Sequence, residues 1–207
     1  MSSRRSEPRT PPRQRMARDD RHRQLLDVAW RLVREEGTNA LTLGRLAEWS
    51  GVTKPVVYSH FPTRTALLSA LYREFDAREN AIIDAALAAS EPTLPATAAV
   101  IASSFVDCVL AQGREIPGLI AALAGSPELE AMKREGDAAF LEKCRLALEP
   151  FGAKGTVAPP GLRAMLGAAE ALSAAAVNGE ITAAEAQDEL SGIVVAMVER
   201  SGRPDRS

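Results

Sequence analysis

At 207 residues, 46% of them hydrophobic and 25% charged, the chain has the composition of an ordinary globular protein of one or two domains. Lys and Arg number 25 against 27 Asp and Glu, a net charge of −2, and Cys108 and Cys144 form no CxxC pair, so neither a disulfide scaffold nor a metal site is expected and a reducing cytoplasm is. The longest uncharged stretch, residues 92–106, holds two prolines and falls short of the about 20 apolar residues of a membrane span; the arginine-rich start lacks the apolar run of a secretory signal.

Residues 1–18 contain six arginines, three prolines and Glu7, with too little apolar surface to offset the entropy of ordering, so a basic disordered tail is expected there. The tail is the extreme of a wider asymmetry. Residues 1–78 hold 15 Lys and Arg against 9 Asp and Glu, a net of +6, while residues 79–207 hold 10 against 18, a net of −8. One end is suited to a polyanion and the other is not. The tail itself reads either as a solvated segment or as an arm entering a DNA minor groove.

From residue 19 the pattern becomes helical. Leu25, Ala29, Leu32 and Val33 share one face of a helix over about 20–36, which Gly37 ends. Thr42 then caps a short helix through Trp49 that buries Leu43, Leu46 and Ala47. Ser50-Gly51-Val52 makes a tight turn, and Thr53 caps a second short helix with Pro55 in its first turn. Val52, Val57 and Phe61 point inward, leaving Lys54, Val56, Tyr58 and Ser59 outside. Two short helices joined by a glycine turn form a helix-turn-helix pattern. Thr63 caps a long helix to about Ala89, with a stripe of Leu67, Leu71, Phe75 and Ile82 and with Leu68 and Ile83 alongside. Further helices are expected at about 95–112, 117–124, 127–149, 160–178 and 183–200, the last opened by the capping box Thr182–Glu185. The fold is all-α, with a tail (1–18), an N-terminal three-helix unit (19–64) and a helical remainder (65–207).

In helix-turn-helix proteins the second helix enters the major groove and its N-terminal residues meet base edges. Thr53, Lys54, Pro55 and Val56 stand at that end. Lys54 can donate to guanine or to a phosphate, and Pro55 and Val56 can touch thymine methyls. Thr42 and Thr53 sit at helix N-termini, whose free N–H groups suit phosphate. Trp30 and Trp49 lie beside the apolar stripes of their helices and read as packing residues.

The segment LTLGRLAEWSGVTKPVVYSHFPTRTALL resembles the DNA-binding region of the TetR family of bacterial transcription regulators. The matching features are Thr42, Leu46-Ala47, Gly51-Val52-Thr53, Tyr58-x-His60-Phe61 and a basic residue before a leucine-rich helix, over about residues 20–75. The resemblance implies that Tyr58 and His60 hydrogen-bond phosphates and that Arg64, in the family's usual lysine position, anchors the DNA backbone. Gly44 stands where the family's founding member carries a base-reading arginine, which shifts any reading from the first short helix to Arg45. Thr65 replaces an acidic residue common in the family.

The resemblance also implies a C-terminal domain that dimerises and holds a small-molecule effector. Gly167, Ala171 and Ala174 form a small-residue stripe that permits close helix approach, and Leu190, Ile193, Val194 and Met197 share a face of the last helix. The same faces could equally serve internal packing. An effector pocket would be mostly aliphatic, with Phe105, Val109, Met132, Phe140 and Met165 as lining and Glu170 as a carboxylate that orients a ligand, pairs with Arg163 or faces solvent. No HExxH, GxSxG or P-loop signature is present and the two histidines, His22 and His60, join no triad, so an enzyme is not expected, nor a cofactor. The expected function is a cytoplasmic, homodimeric repressor that binds a near-palindromic double-stranded operator and is released by an unidentified effector, with no membrane partner. An activator, or a DNA-binding protein without an effector, is the alternative.

Overall fold

The computed structural model describes residues 17–152 and 156–201, all helix or loop. The tail expected to be disordered therefore lies outside the described residues, apart from Ala17 and Arg18. Helix α1 (Arg18–Glu36) opens with Asp19 and Asp20, whose charges favour the helix N-terminus, and closes at Gly37 with φ of 82°. A single 3₁₀ turn, Thr38–Ala40, leads to α2 (Leu43–Ser50), capped by Thr42 Oγ1 accepting from the Arg45 N–H at 3.1 Å. At the far end Gly51 takes the left-handed conformation, φ 63° and ψ 31°. The Gly51 and Val52 N–H groups donate back to Glu48 and Ala47, closing both last carbonyls of α2 and setting the angle to the next helix.

Helix α3 (Lys54–His60) starts with Pro55 in its first turn. Thr53 occupies the cap position with extended backbone, but its hydroxyl makes no capping bond, contrary to expectation. Helix α4 (Arg64–Ala89) is capped by Thr63 Oγ1 at 3.0 Å from the Ala66 N–H and is about 39 Å long at the usual rise per residue. Its buried residues are Leu67, Leu68, Leu71, Tyr72, Phe75 and Ile83, whereas Ile82 is exposed. Ile83 lies eleven residues past Tyr72, on nearly the same side of the helix, so the buried face turns towards the Tyr72 side where α4 meets its later neighbours.

The remaining helices are α5 (Leu94–Glu115), α6 (Pro117–Leu123), α7 (Pro127–Leu148), α8 (Pro159–Val177) and α9 (Ala183–Ser201). Thr93 and Ser126 cap α5 and α7, and Thr182 and Glu185 form the reciprocal capping box expected for α9. Helix α5 corrects one expectation. Residues Leu94–Gly113 are long and apolar enough to cross a membrane, because the helix runs past Asp107, where the uncharged stretch ends. Within the fold, Ala98, Ile101, Ala102 and Val106 are buried and α5 packs on α8 and α9, which makes it the central helix of a core.

Two cores divide the molecule. The first joins α1–α3 and the front of α4 to Leu119 and Leu123 of α6 and to Leu129 and Met132 of α7. The second joins Ile83 at the back of α4 to α5, α7, α8 and α9. The N-terminal unit is thus sealed by residues well past 64, and α4 belongs to both cores. Beside the first core, α6 presses on the 3₁₀ turn: a Cβ on Gly118 would lie 2.6 Å from Thr38 Oγ1 and 3.0 Å from Thr38 Cβ. Thr38 is buried and β-branched, with little freedom to yield. Gly118→Ala should therefore lower stability by about 1–3 kcal/mol by overpacking, read from urea unfolding. Gly192→Ala, on an open helical face with nothing within 4 Å, should raise it by about 0.5–1 kcal/mol.

Candidate nucleic-acid interface and effector cavity

Helix α3 buries Val57, and Phe61 just beyond its end, against the first core, which turns its other side outward. Thr53, Lys54, Pro55, Tyr58 and Ser59 are exposed there and Val56 is half-buried, so six of the residues expected to face DNA share one surface. Tyr58 is 52% exposed, a large apolar ring with a hydroxyl at its tip, which nothing in the fold requires at the surface. Ser59 differs in that its hydroxyl donates to the Val56 carbonyl at 2.7 Å. Lys54 reaches back over α2: a Cβ on Gly44 would meet Lys54 Cε at 3.7 Å and Thr42 Oγ1 at 3.9 Å. A methyl group at 44 would touch the lysine stem at ordinary van der Waals distance, so only a longer side chain would compete with it.

Two arginines expected at the interface are held elsewhere. Arg45 makes a two-pronged contact with Glu36, Nη2 to Oε1 at 2.6 Å and Nε to Oε2 at 3.2 Å, and a further bond to Glu48 at 3.3 Å. Hydrogen bonding to Arg45 holds the Glu36 carboxyl below its ordinary range, and that to Glu36 raises the arginine. Arg31 and Arg45 both lie over the Trp49 ring, at 5.5 and 5.7 Å, which gives that tryptophan its packing role. Trp30 donates from Nε1 to Glu74 Oε2 at 2.6 Å, tying α1 to α4. Arg64 turns inward as well. It donates from Nε to the Leu41 carbonyl at 2.7 Å and from Nη2 to the Thr38 carbonyl at 2.8 Å, satisfying backbone groups between α1 and α2.

His60 is half-buried, its ring 5.6 Å from His22 and 6.4 Å from Phe61. Burial, and then the nearby His22, Arg18 and Arg21, push its pKa below the ordinary histidine value.

A second feature lies between α4, α5, α7 and α8: a cavity of about 300 Å³. Phe105, Val109, Phe140 and Glu170 line it as expected, and Ala174 joins them from the small-residue stripe. Met132 and Met165 do not. Met132 belongs to the first core, facing a smaller neighbouring recess, and Met165 is buried in the second. The sequence reading missed the wall that α4 supplies, Tyr72, Asp76, Glu79, Asn80 and Ile83, together with Cys108 on α5. Burial pushes both Tyr72 and Cys108 up to about 12, so both stay neutral. A larger cleft of about 870 Å³ runs between Trp30, Glu74, Phe75 and Gly118, beside the first core. It is a gap between helices, without the paired aromatic rings of the smaller cavity.

Of the faces expected to dimerise, Gly167, Ala171 and Ala174 are exposed on α8. Leu190, Val194 and Met197 are not available: they are 0%, 0% and 3% exposed, packed in the second core against α5 and α8, and Ile193 is half-buried. Spacing alone does not separate a helix face that meets its own core from one that meets a partner.

Residues 25–71 match the sequence model of the tetR family of bacterial regulatory proteins. Over residues 25–71 the chain carries the sequence of a TetR-family DNA-binding segment. Over 63 residues it is 38% identical to the HTH-type transcriptional activator FasR of Mycolicibacterium smegmatis, an alignment spanning 30% of this chain and 29% of that protein. Among solved structures it is similar to a TetR-family transcriptional regulator from Streptomyces coelicolor, with TM-score 0.60 and 19% identity over 89% of this chain and 97% of the other. It is also similar to the multidrug binding protein EbrR, solved with imidazole, with TM-score 0.61 and 19% identity over 84% and 89%. At these identities the structures show a shared fold that runs through the C-terminal helices.

The inward position of Arg64 separates a structural role from a phosphate contact by experiment. Arg64→Ala should cost about 1–3 kcal/mol of stability, because two partly buried carbonyls lose a charged donor. Tyr58→Phe should leave urea unfolding unchanged and weaken binding to all DNA sequences alike. Equal effects of the two substitutions on stability would reverse these assignments.

Proposed function

We propose that this TetR-family regulator is a cytoplasmic homodimeric repressor that binds a near-palindromic operator and releases it when a small molecule enters the cavity between α4, α5, α7 and α8. The observation that carries this reading is the placement of α4. It begins at Arg64, four residues past the end of α3, and supplies Tyr72, Asp76, Glu79, Asn80 and Ile83 to the cavity wall. A ligand that favours one position of this helix must change the spacing of the two recognition helices in a dimer. EbrR, a structural neighbour, was solved with imidazole and with ethidium, which supports a ligand-holding role for this architecture. FasR is an activator, but its likeness is confined to 30% of this chain, so it does not set the sign of regulation.

In this proposal Thr53, Lys54, Pro55 and Val56 meet base edges, while Thr42, Tyr58 and His60 meet phosphates. Ser59, whose hydroxyl is held by its own helix, contributes bulk at the rim. The partner subunit packs on the exposed α8 stripe of Gly167, Ala171 and Ala174, with Ile193 at its margin. Because Ala171 is exposed in the single chain, Ala171→Glu leaves both cores intact and places two like charges at the two-fold axis. Sedimentation should show a folded monomer, and an operator selected from random DNA should bind at least tenfold more weakly. A stable dimer with normal binding would place the interface elsewhere.

The depressed pKa of His60 gives a second test, with opposite signs for folding and binding. The unfolded chain takes up the proton more readily, so this group lowers stability as pH falls from about 6.5 towards the folded value. A phosphate beside His60 favours its charged form, so DNA binding takes up protons. Operator affinity should rise from pH 8 to pH 6, and His60→Gln should flatten that dependence. A slope unchanged by the substitution would remove His60 from the phosphate contacts.

A further inference from the structure

The chemistry of the cavity wall narrows the class of effector. Tyr72 lines the cavity, is only 6% exposed, and its hydroxyl makes no hydrogen bond with any described residue. The hydroxyl is open to the cavity, where a ligand's polar group can bond it. One turn further along α4, Asp76 accepts 2.9–3.2 Å bonds from Asn80 Nδ2 at its carbonyl and carboxylate and has no ion-pair partner. Burial raises its pKa, against the pull of the Asn80 bond and of the Arg73 and Lys143 charges. Glu79, Asp137 from α7 and Glu170 from α8 add three more carboxylates to the lining, against Lys133 as its basic residue. Phe105 from α5 and Phe140, three residues past Asp137 on α7, stand with ring centroids 5.0 Å apart and planes at 55°, offering ring faces and edges to a flat guest. The volume, about 300 Å³, is at the small end for ligand pockets.

We propose that the effector is a small aromatic cation bearing N–H donors. Its rings lie against Phe105 and Phe140, its ammonium sits between Asp76 and Asp137, and one N–H donates to the Tyr72 hydroxyl oxygen. This assignment rests on the cavity being the effector site proposed above, but it makes a separate demand: the sign of the ligand's charge must matter.

The test uses three naphthalene probes of nearly equal shape on the full-length protein without DNA: 1-naphthylmethylamine (cationic), 1-ethylnaphthalene (neutral) and 1-naphthylacetate (anionic). The amine should bind at least tenfold more tightly than either of the others. Asp76→Asn should remove that advantage and leave 1-ethylnaphthalene affinity within twofold, which also shows that the cavity has kept its shape. Tyr72→Phe should weaken the amine at least threefold and the hydrocarbon not at all. Binding of the anion as tight as the amine, an amine advantage that survives Asp76→Asn, or failure of all three to bind would each overturn the assignment. Operator titration then separates the two readings. If 1-ethylnaphthalene releases DNA as well as the amine does, the effector response stands and the cation class falls. If the amine binds with its predicted selectivity but leaves operator affinity unchanged, the class stands and the response falls.

Discussion

The structure depends on one helix being buried at both ends by different neighbours. The front of α4, from Leu67 to Phe75, completes the core of the DNA-binding unit, and Ile83 at its back enters the core of the C-terminal helices. It supplies five buried residues to the first core and Ile83 to the second. A rod shared in this way cannot shift at one end without repacking at the other, because close-packed interiors have discrete arrangements rather than continuous ones. The contacts along its N-terminal half reinforce that stiffness. Arg64 holds the Thr38 and Leu41 carbonyls, Trp30 holds Glu74, and Gly118 admits α6 directly against Thr38.

The interface half of the molecule was legible in the sequence because its signals are local. Thr42 and Thr63 as caps, Gly51 in the left-handed turn and Pro55 in a first turn are each fixed by backbone chemistry within a few residues. The inward set Leu46, Val57 and Phe61 follows from short-range periodicity. The same local chemistry explains why Thr53 was misjudged. A cap position and a capping bond are different things, and only coordinates reveal the hydroxyl's choice.

What was not legible depends on partners distant in sequence. Arg45 and Arg64 are basic, near the motif and plausible for DNA, yet Glu36 and two loop carbonyls claim them first. Leu190, Val194 and Met197 form an apolar face whose partner is α5, some 80–90 residues earlier, and periodicity is silent on which neighbour a face meets. The cavity shows the same limit. Its aromatic side was found from Phe105 and Phe140, but the polar side comes from α4, where Tyr72, Asp76 and Asn80 sit beside residues that belong to a core.

The approach of Lys54 to Gly44 has a consequence for how such a protein diverges. The lysine stem passes within van der Waals contact of the place a Cβ at 44 would occupy. In the proposed reading, positions 44 and 54 therefore form one recognition unit rather than two. A longer residue at 44 would contribute its own head group and at the same time displace the lysine, altering two contacts with one substitution. Drift towards a new operator must then pass through paired changes at these sites, and among relatives the identity of one position should constrain the other.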